Sequence, residues 1–173
     1  EPMEPQPLSP YGISKRSGEL YLHFYFIQYG ISSVVLRYSN VYGPRQNPHG
    51  ESGVIAIFME KLLKGEQPVI NGTGENTRDY VFVEDVAQAN VAALEYNQQG
   101  IFNIGTKVET STLEVVRKVY AALHIDGEVQ HGPARPGEQQ RSVLDASLAQ
   151  QELGWSPQVS LDEGIVRTVS SFV

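Results

Sequence analysis

Segments with helical periodicity alternate with short apolar segments along this chain, and that alternation restricts its fold more than any other feature. A helix is predicted over residues 10–29, because Ser9 is a good N-cap, Pro10 suits the first helical position and Gly30 ends the segment. The stretch "SSVVLRYSNVYGP" then predicts a buried strand that stops at a Gly-Pro turn. A helix followed by a buried strand is half of a parallel crossover unit, so we expect an α/β fold with a largely parallel sheet.

The rest of the chain continues this alternation. Helical patterns cover "GVIAIFMEKLLKG", residues 84–97, "STLEVVRKVYAALH", "DASLAQQELGW" and "LDEGIVRTVSSFV". Short strands are predicted for "PVIN", "RDYVFV" and "IFNIG". The glycine-rich stretch "GTGENT" leads into a strand and not into a helix, so it is predicted to be a hairpin turn and not a phosphate-binding turn.

The beginning of the chain bears on its organisation. A doubly wound nucleotide-binding domain normally begins with a strand, a glycine-rich turn and a helix. The proline-rich opening "EPMEPQPLSP" supplies none of these elements. We therefore expect the chain to be the carboxyl-terminal portion of something longer.

Composition excludes several classes of function. With 40% hydrophobic residues among 173, the chain can bury one sizeable core. No apolar run approaches the roughly 20 residues that span a bilayer and no cationic leader opens the chain, so we expect neither secretion nor a membrane partner. The absence of cysteine fits a cytoplasmic protein. The lack of cysteine and the scattered histidines predict no metal site. A net charge of -7 opposes nucleic-acid binding, so an anionic ligand would need a local basic site.

Tyr11 and Lys15 are the candidate catalytic pair. Four residues on a helix make close to one turn, so the two side chains project from the same face and can converge. A neighbouring ammonium stabilises a phenolate and lowers the pKa of a tyrosine from its usual value of about 10, which makes the phenol a usable base. The same spacing also occurs on ordinary solvated helix faces, and that alternative stays open for the pair taken alone.

Five blocks of sequence carry a resemblance to a known family. They are "SPYGISK", "LRYSNVYGPRQNPHGESGVIAIF", "INGTGENTRDYVFVEDVAQA", "FNIGT" and "RPGEQQRSVLDASLAQQELGW". In this order and spacing they resemble extended short-chain dehydrogenase/reductases of the NAD-dependent epimerase/dehydratase family, most of all its bacterial UDP-glucose 4-epimerases. The resemblance covers nearly the entire chain.

The resemblance implies a particular domain organisation. The fold would be the C-terminal part of a Rossmann-like doubly wound parallel sheet together with a smaller α/β substrate-binding domain. Residues 1–50 would be the remnant of the NAD-binding domain. Residues 51–173 would be mainly substrate-binding, with 78–105 returning to the Rossmann sheet.

The resemblance also implies an activity, which is the NAD-dependent 4-epimerisation of a UDP-hexose through a 4-keto intermediate. Tyr11 as phenolate would take the proton from the sugar 4-hydroxyl while hydride passes to NAD. Lys15 would lower the pKa of Tyr11 and hydrogen-bond the nicotinamide ribose, and Ser39 would touch the nicotinamide. NAD is the expected cofactor, a UDP-sugar the expected substrate, and a homodimer the expected state of the full-length enzyme.

The remaining site residues match positions of the family that contact the UDP-sugar: Asn40, Gly53, Val54, Val69, Asn71, Arg78, Arg135, Glu138 and Ser142. Arg78 and Arg135 would grip the diphosphate, because a guanidinium offers forked donors and keeps its charge. Glu138 would hold the uridine ribose, and the backbone from Val69 to Asn71 would meet the uracil. Asn40 and the helix start at Gly53 and Val54 would add contacts to the diphosphate.

Several of these assignments have a plain structural alternative. Asn40 can be a turn-forming residue, Gly53 can simply begin a helix, and the two arginines can form surface ion pairs with Asp79 or Glu138. Ser142 would lie beside the C2 substituent of the sugar, where a small residue admits N-acetylated substrates, or it merely begins a strand "SVLDAS". Trp155 is expected to be a packing anchor.

Two other functions compete with the epimerase. One is a nucleotide-sugar 4,6-dehydratase or decarboxylase of the same superfamily. The loop "PRQNPHGESGV" favours the epimerase, because the dehydratases carry a different loop after "YGP". The other is a catalytically inactive piece of a substrate domain that binds a UDP-sugar weakly.

Overall fold

Helices and short strands alternate through residues 5–49 and 53–172, which are the residues that this computed structural model describes. The helices are α1 (Pro10–Tyr29), α2 (Val54–Leu63), α3 (Val83–Glu95), α4 (Thr112–Ala122), α5 (Ser147–Leu153) and α6 (Leu161–Ser170). The strands are β1 (Val34–Tyr38), β2 (Asn40–Tyr42), β3 (Val69–Asn71), β4 (Thr77–Arg78), β5 (Tyr80–Phe82), β6 (Gly100–Ile104), β7 (Thr110–Ser111) and β8 (Gln130–Gly132). Part of the loop "PRQNPHGESGV" lies outside the described residues.

Local capping chemistry sets the limits of α1 and α4. The Ser9 Oγ accepts a hydrogen bond from the Gly12 amide at 3.1 Å, and Gly30 closes α1 in the left-handed conformation at φ 67°. The Ser111 Oγ accepts in the same way from the Glu114 amide at the start of α4, at 3.1 Å. The predicted start and end of the first helix are therefore confirmed.

Parallel pairing brings distant parts of the chain together. β1 pairs in parallel with β6, and β2 pairs in parallel with β5. The Ser39 amide donates to the Ile104 carbonyl and the next amide, of Asn40, donates to the Asp79 carbonyl, both at 2.9 Å. The strand after α1 thus changes its partner between Ser39 and Asn40. Residues 80–104 return to this strand, and the α/β class expected from the sequence is confirmed.

Two expectations for the strands are wrong. The stretch "SSVVLRYSNVYGP" was expected to form one buried strand, yet it contains the two short strands β1 and β2, in which only Tyr42 is buried. The hairpin expected for "GTGENT" does not form, because β3 pairs in parallel with β8 and β4 pairs antiparallel with β7. Gly72 and Gly74 adopt positive φ, 65° and 77°, and direct the chain from one pair of strands to the other.

Two apolar clusters form the core. The larger one joins α2, α4 and α6 to β5, and its buried members include Phe58, Met59, Phe82, Val116 and Ile165. The smaller one packs α3 and α5 against β5 and β6, through Val81, Phe102, Ile104, Ala149 and Trp155. Trp155 is 4% exposed and its Nε1 donates to the Asp85 carbonyl at 2.8 Å, which confirms it as a packing anchor.

α1 differs from the other helices because none of its residues is buried. Most of its large apolar side chains are exposed, namely Tyr11, Ile13, Leu20, Tyr21, Leu22, Phe24, Tyr25, Ile27 and Tyr29. The Glu19 carboxylate accepts from the Arg37 Nε and Nη2 atoms at 2.7 and 2.8 Å and so ties the helix to β1. A charged contact therefore contributes to holding this helix on the sheet.

Candidate active site

A cavity of about 430 Å³ lies between α2, β3, β4 and the segment that precedes α5. Eight of the nine residues assigned to the UDP-sugar from the sequence line it: Asn40, Gly53, Val54, Val69, Asn71, Arg78, Arg135 and Glu138. These residues come from five separate parts of the chain, so the tertiary structure brings them together.

α2 forms one wall of the cavity and begins at it. Gly53 is the N-cap residue and uses no side chain to cap the helix, so backbone amides of the first turn remain open to a ligand. A Cβ on Gly53 would lie 2.9 Å from the Gln46 Nε2 atom, which itself donates to the Val41 carbonyl at 3.1 Å. The end of the Gln46 side chain therefore lies against the helix start and would have to shift to admit a side chain at position 53.

Arg78 is held in place by backbone carbonyls. Its Nη1 atom donates to the carbonyls of Thr77 and Gln139, both at 2.8 Å. Asp79 points away from this pairing: it is 1% exposed and its Oδ1 atom accepts from the Thr106 amide at 2.9 Å. The ion pair between Arg78 and Asp79 that was considered from the sequence is therefore not formed. A guanidinium has five N–H donors, so Arg78 keeps further donors for a ligand.

The charge of the cavity wall is positive. Among the described lining residues, Lys61, Arg78 and Arg135 are cationic and Glu138 is the one carboxylate. Arg135 and Glu138 lie on a turn in which the Glu138 amide donates to the Arg135 carbonyl at 3.3 Å. A chain of net charge -7 thus carries a local basic site of the kind that an anionic ligand requires.

Several lining residues were not predicted from the sequence: Ile57, Phe58, Lys61, Asn76, Tyr80 and Thr112. Ile57 and Lys61 follow Val54 at helical spacing, so the pattern of α2 could have indicated them. Tyr80 lies two residues after Arg78, and side chains two residues apart share one side of an extended chain. Burial raises the pKa of the Tyr80 phenol to about 12. The Tyr80 hydroxyl therefore stays protonated at neutral pH and can donate a hydrogen bond.

Tyr11 and Lys15 lie close together on the first turns of α1. The Lys15 Nζ atom is 5.3 Å from the centre of the Tyr11 ring, and the tyrosine is 63% exposed. Neither residue lines the cavity. Ser39 lies at the end of β1, and within the described residues its buried Oγ has no hydrogen-bond partner. An orphaned hydroxyl of this kind is suited to a polar ligand group.

Ser142 does not line the cavity and does not begin a strand. Its amide donates to the Thr77 carbonyl at 3.2 Å, which places its backbone beside the residue that precedes Arg78. The strand considered for "SVLDAS" is therefore absent from the described part of the chain, where residues 141–146 have no regular secondary structure.

Residues 5–49 and 53–172 contain neither a metal-binding cluster nor a membrane-spanning helix. No three His, Asp or Glu side chains there come close enough to share a metal ion. None of the helices in these ranges is both long and apolar enough to cross a bilayer.

Comparison with known proteins gives consistent matches. UDP-glucose 4-epimerase of Mycolicibacterium smegmatis is 47% identical over 173 residues, covering 99% of this chain and 55% of that protein. The crystal structure of UDP-glucose 4-epimerase with UDP-glucose from Thermotoga maritima superposes with a TM-score of 0.93 at 47% identity, covering 96% of this chain and 54% of that one. The UDP-glucose 4-epimerase of Thermus thermophilus in complex with NAD gives a TM-score of 0.88 at 46% identity, covering 99% and 58%.

A relative that is named as a dehydratase is less similar to this chain. A dTDP-glucose 4,6-dehydratase of Streptomyces griseus is 34% identical over 172 residues, covering 98% of this chain and 51% of that protein. The chain thus spans about half the length of the relatives that it matches. The likeness to the two solved epimerase structures, at 47% and 46% identity, shows a Rossmann-like α/β fold.

The family model described as the NAD dependent epimerase/dehydratase family matches residues 1–105, which is more than half of the chain. That match covers the helix with Tyr11 and Lys15, the strand pairs β1–β6 and β2–β5, and Arg78 at the cavity. The chain belongs to the NAD dependent epimerase/dehydratase family.

Proposed function

We propose that this chain is part of an enzyme that interconverts UDP-glucose and UDP-galactose by NAD-dependent epimerisation at C4, through a 4-keto sugar. The observation that carries the proposal is the basic cavity, which gathers eight residues assigned to a UDP-sugar. The relatives named UDP-glucose 4-epimerase are also more similar to the chain than the dehydratase, at 47% against 34% identity.

The cavity residues would divide the UDP-sugar between them. Arg78 and Arg135 would bind the diphosphate, with Asn40 and the first amides of α2 as further donors. Glu138 would accept hydrogen bonds from the uridine ribose hydroxyls. The backbone from Val69 to Asn71 would meet the uracil.

Tyr11, Lys15 and Ser39 would hold the nicotinamide end of NAD. The buried Ser39 Oγ, which lacks a partner among the described residues, fits a polar group of the cofactor. When bound, NAD would accept a hydride from C4 of the sugar and return it. Tyr11 would take the proton of the 4-hydroxyl and give it back, and the Lys15 ammonium would stabilise the phenolate form.

The test is Tyr11→Phe in the full-length protein that contains this chain. The hydroxyl acts on the proton and contributes little to ground-state binding, so we expect loss of most of the turnover with UDP affinity nearly unchanged. Tyr21→Phe is the matched control, because Tyr21 lies on the same helix and is exposed to a similar extent, 68% against 63%. Turnover is measured by NMR of the sugar products and affinity by titration calorimetry with UDP.

Three results would contradict the proposal. Wild-type turnover in the Tyr11→Phe variant would remove Tyr11 from the chemistry. A 4-keto-6-deoxy sugar as the product of the wild type would assign the chain to the dehydratases. If the wild type binds UDP and NAD but turns over no UDP-sugar, the protein would be a binding protein and not an enzyme.

We extend the proposal to N-acetylated UDP-sugars on the ground of the family resemblance, which puts the small Ser142 beside the C2 substituent of the sugar, outside the residues that line the cavity. A tyrosine in its place would have to be accommodated at a cost of roughly 1–3 kcal/mol if the position adjoins the sugar. We therefore expect wild type to accept UDP-N-acetylglucosamine as well as UDP-glucose, and Ser142→Tyr to lower the ratio of the two turnover efficiencies. An unchanged ratio in the tyrosine variant would show that Ser142 does not control substrate range.

A further inference from the structure

Residues 133–138, here called the arch, carry both Arg135 and Glu138 over the cavity. The arch begins where β8 pairs with β3, and there the Gly72 amide donates to the Gly132 carbonyl at 2.9 Å. A Cβ on Gly72 would lie 3.3 Å from the Ala134 Cβ, so the arch also passes close to the turn after β3. Its first end is therefore held by a strand pair.

The other end of the arch is held against β4. The Thr77 amide donates to the Gln140 carbonyl at 2.9 Å, and the Ser142 amide donates to the Thr77 carbonyl at 3.2 Å. The Arg78 Nη1 atom donates to the Gln139 carbonyl at 2.8 Å. Arg78, which would bind the diphosphate from β4, thus also contacts Gln139, the residue that directly follows the arch.

An ion pair reinforces this end of the arch. The Glu109 carboxylate accepts from the Arg141 Nε and Nη2 atoms at 2.9 and 2.6 Å and from the Thr77 Oγ1 atom at 2.6 Å. Glu109 directly precedes β7, which pairs with β4. The hydrogen bonds from Arg141 and Thr77 lower the pKa of Glu109 to about 2, so the carboxylate is charged at neutral pH.

The plain alternative is a surface ion pair without consequence. The Arg141 side chain is 77% exposed, and exposed ion pairs usually add little to the stability of a protein. Two observations argue for a role in binding. The pair is bidentate and shares its carboxylate with Thr77. It also holds Arg141, which lies only three residues after Glu138. Ordering a loop before a ligand arrives removes a cost from binding.

We propose that Glu109 and Arg141 are positioning residues, which hold the arch so that Arg135 and Glu138 meet the UDP part of the substrate. The inference rests on the proposed function. It concerns affinity for the nucleotide and leaves the proton transfer at Tyr11 unaffected.

The test is Arg141→Met in the full-length protein, which keeps much of the side-chain stem and removes the charge. We expect the Kd for UDP and the KM for UDP-glucose to rise about three- to tenfold, as loop ordering is added to the cost of binding, while kcat stays within about twofold. Arg141→Lys should recover part of the lost affinity. The matched control is Asp162→Asn, which breaks the exposed ion pair between Lys118 and Asp162, 2.6 Å apart and away from the cavity.

The outcomes are distinguishable. A wild type that fails to bind UDP removes the proposed function and this inference together. If the wild type binds UDP and the folded Arg141→Met variant binds it with equal affinity, only the positioning role is overturned. Equal losses in Arg141→Met and Asp162→Asn would also overturn it, because general destabilisation would then explain both. Circular dichroism and the melting temperature establish that each variant is folded.

Discussion

At the scale of single residues, Gly164 shows how closely the core is packed. A Cβ at this position of α6 would lie 2.0 Å from the Tyr42 Oη atom and 3.0 Å from the Phe82 ring. Tyr42 is 2% exposed and Phe82 fully buried, so neither ring can move into solvent. Position 164 therefore requires glycine, because there is no space for a side chain.

We expect Gly164→Ala to lower the free energy of unfolding by roughly 1–3 kcal/mol, because the added methyl group overpacks the core. Gly18→Ala is the control: Gly18 also lies in a helix, but no atom would lie within 4 Å of its Cβ. That change should raise stability by roughly 0.4–1 kcal/mol. Urea denaturation measures both values. Equal unfolding midpoints for the wild type and Gly164→Ala would contradict the packing argument.

At the scale of secondary-structure elements, the attachment of α1 depends on Glu19. The hydrogen bond from Arg37 lowers the pKa of this carboxyl below its ordinary value, against an opposing effect of partial burial. Because the folded pKa is lowered, the stabilisation is present above the ordinary carboxylate pKa. It is lost as the pH falls through the folded value.

We therefore expect the NMR amide signals of α1 to shift cooperatively as the pH falls below about 4, the ordinary range of a carboxylate. In Glu19→Gln this transition should be absent, because the side chain no longer titrates. Glu84→Gln is the control, since it breaks an exposed ion pair with Arg167 that does not involve α1. A transition that persists in Glu19→Gln would show that another group controls the attachment.

At the scale of the whole molecule, α1 carries an exposed apolar face, with nine large apolar side chains exposed on this one helix. Phe24 packs edge-on against Tyr25 and Tyr29, with ring centroids 5.6 and 6.3 Å apart, and all three rings remain exposed. Contiguous exposed apolar surface of this kind marks an interaction site. The homodimer that the family resemblance implies for the full-length enzyme would need such a surface.

We expect this chain to associate as its concentration rises, because association removes the apolar face of α1 from water. Phe24→Lys should shift the equilibrium toward monomer in sedimentation velocity experiments. Val166→Lys is the control, because Val166 is similarly exposed, 54% against 52% for Phe24, but lies on α6. Identical sedimentation of wild type and Phe24→Lys over a wide concentration range would contradict the expectation.

The sequence alone predicted what depends on neighbouring residues. Ser9, Pro10 and Gly30 define α1 through contacts within four residues, and the glycines of "GTGENT" predicted a turn. The spacing of Tyr11 and Lys15 predicted that their side chains meet, since one helical turn separates them. The ordered family motifs also indicated eight residues that line one cavity.

The tertiary structure alone decided which strands pair and which side chains meet across the fold. The turn at "GTGENT" gave no sign that β3 would pair with β8 and β4 with β7, because such distant partners are chosen by the packing of the whole chain. The same holds for Glu109, Arg141 and Thr77, which carry no motif and meet only when β4, β7 and the segment after the arch come together. Local signals specify elements; long-range pairing depends on burial and hydrogen bonding that no short stretch contains.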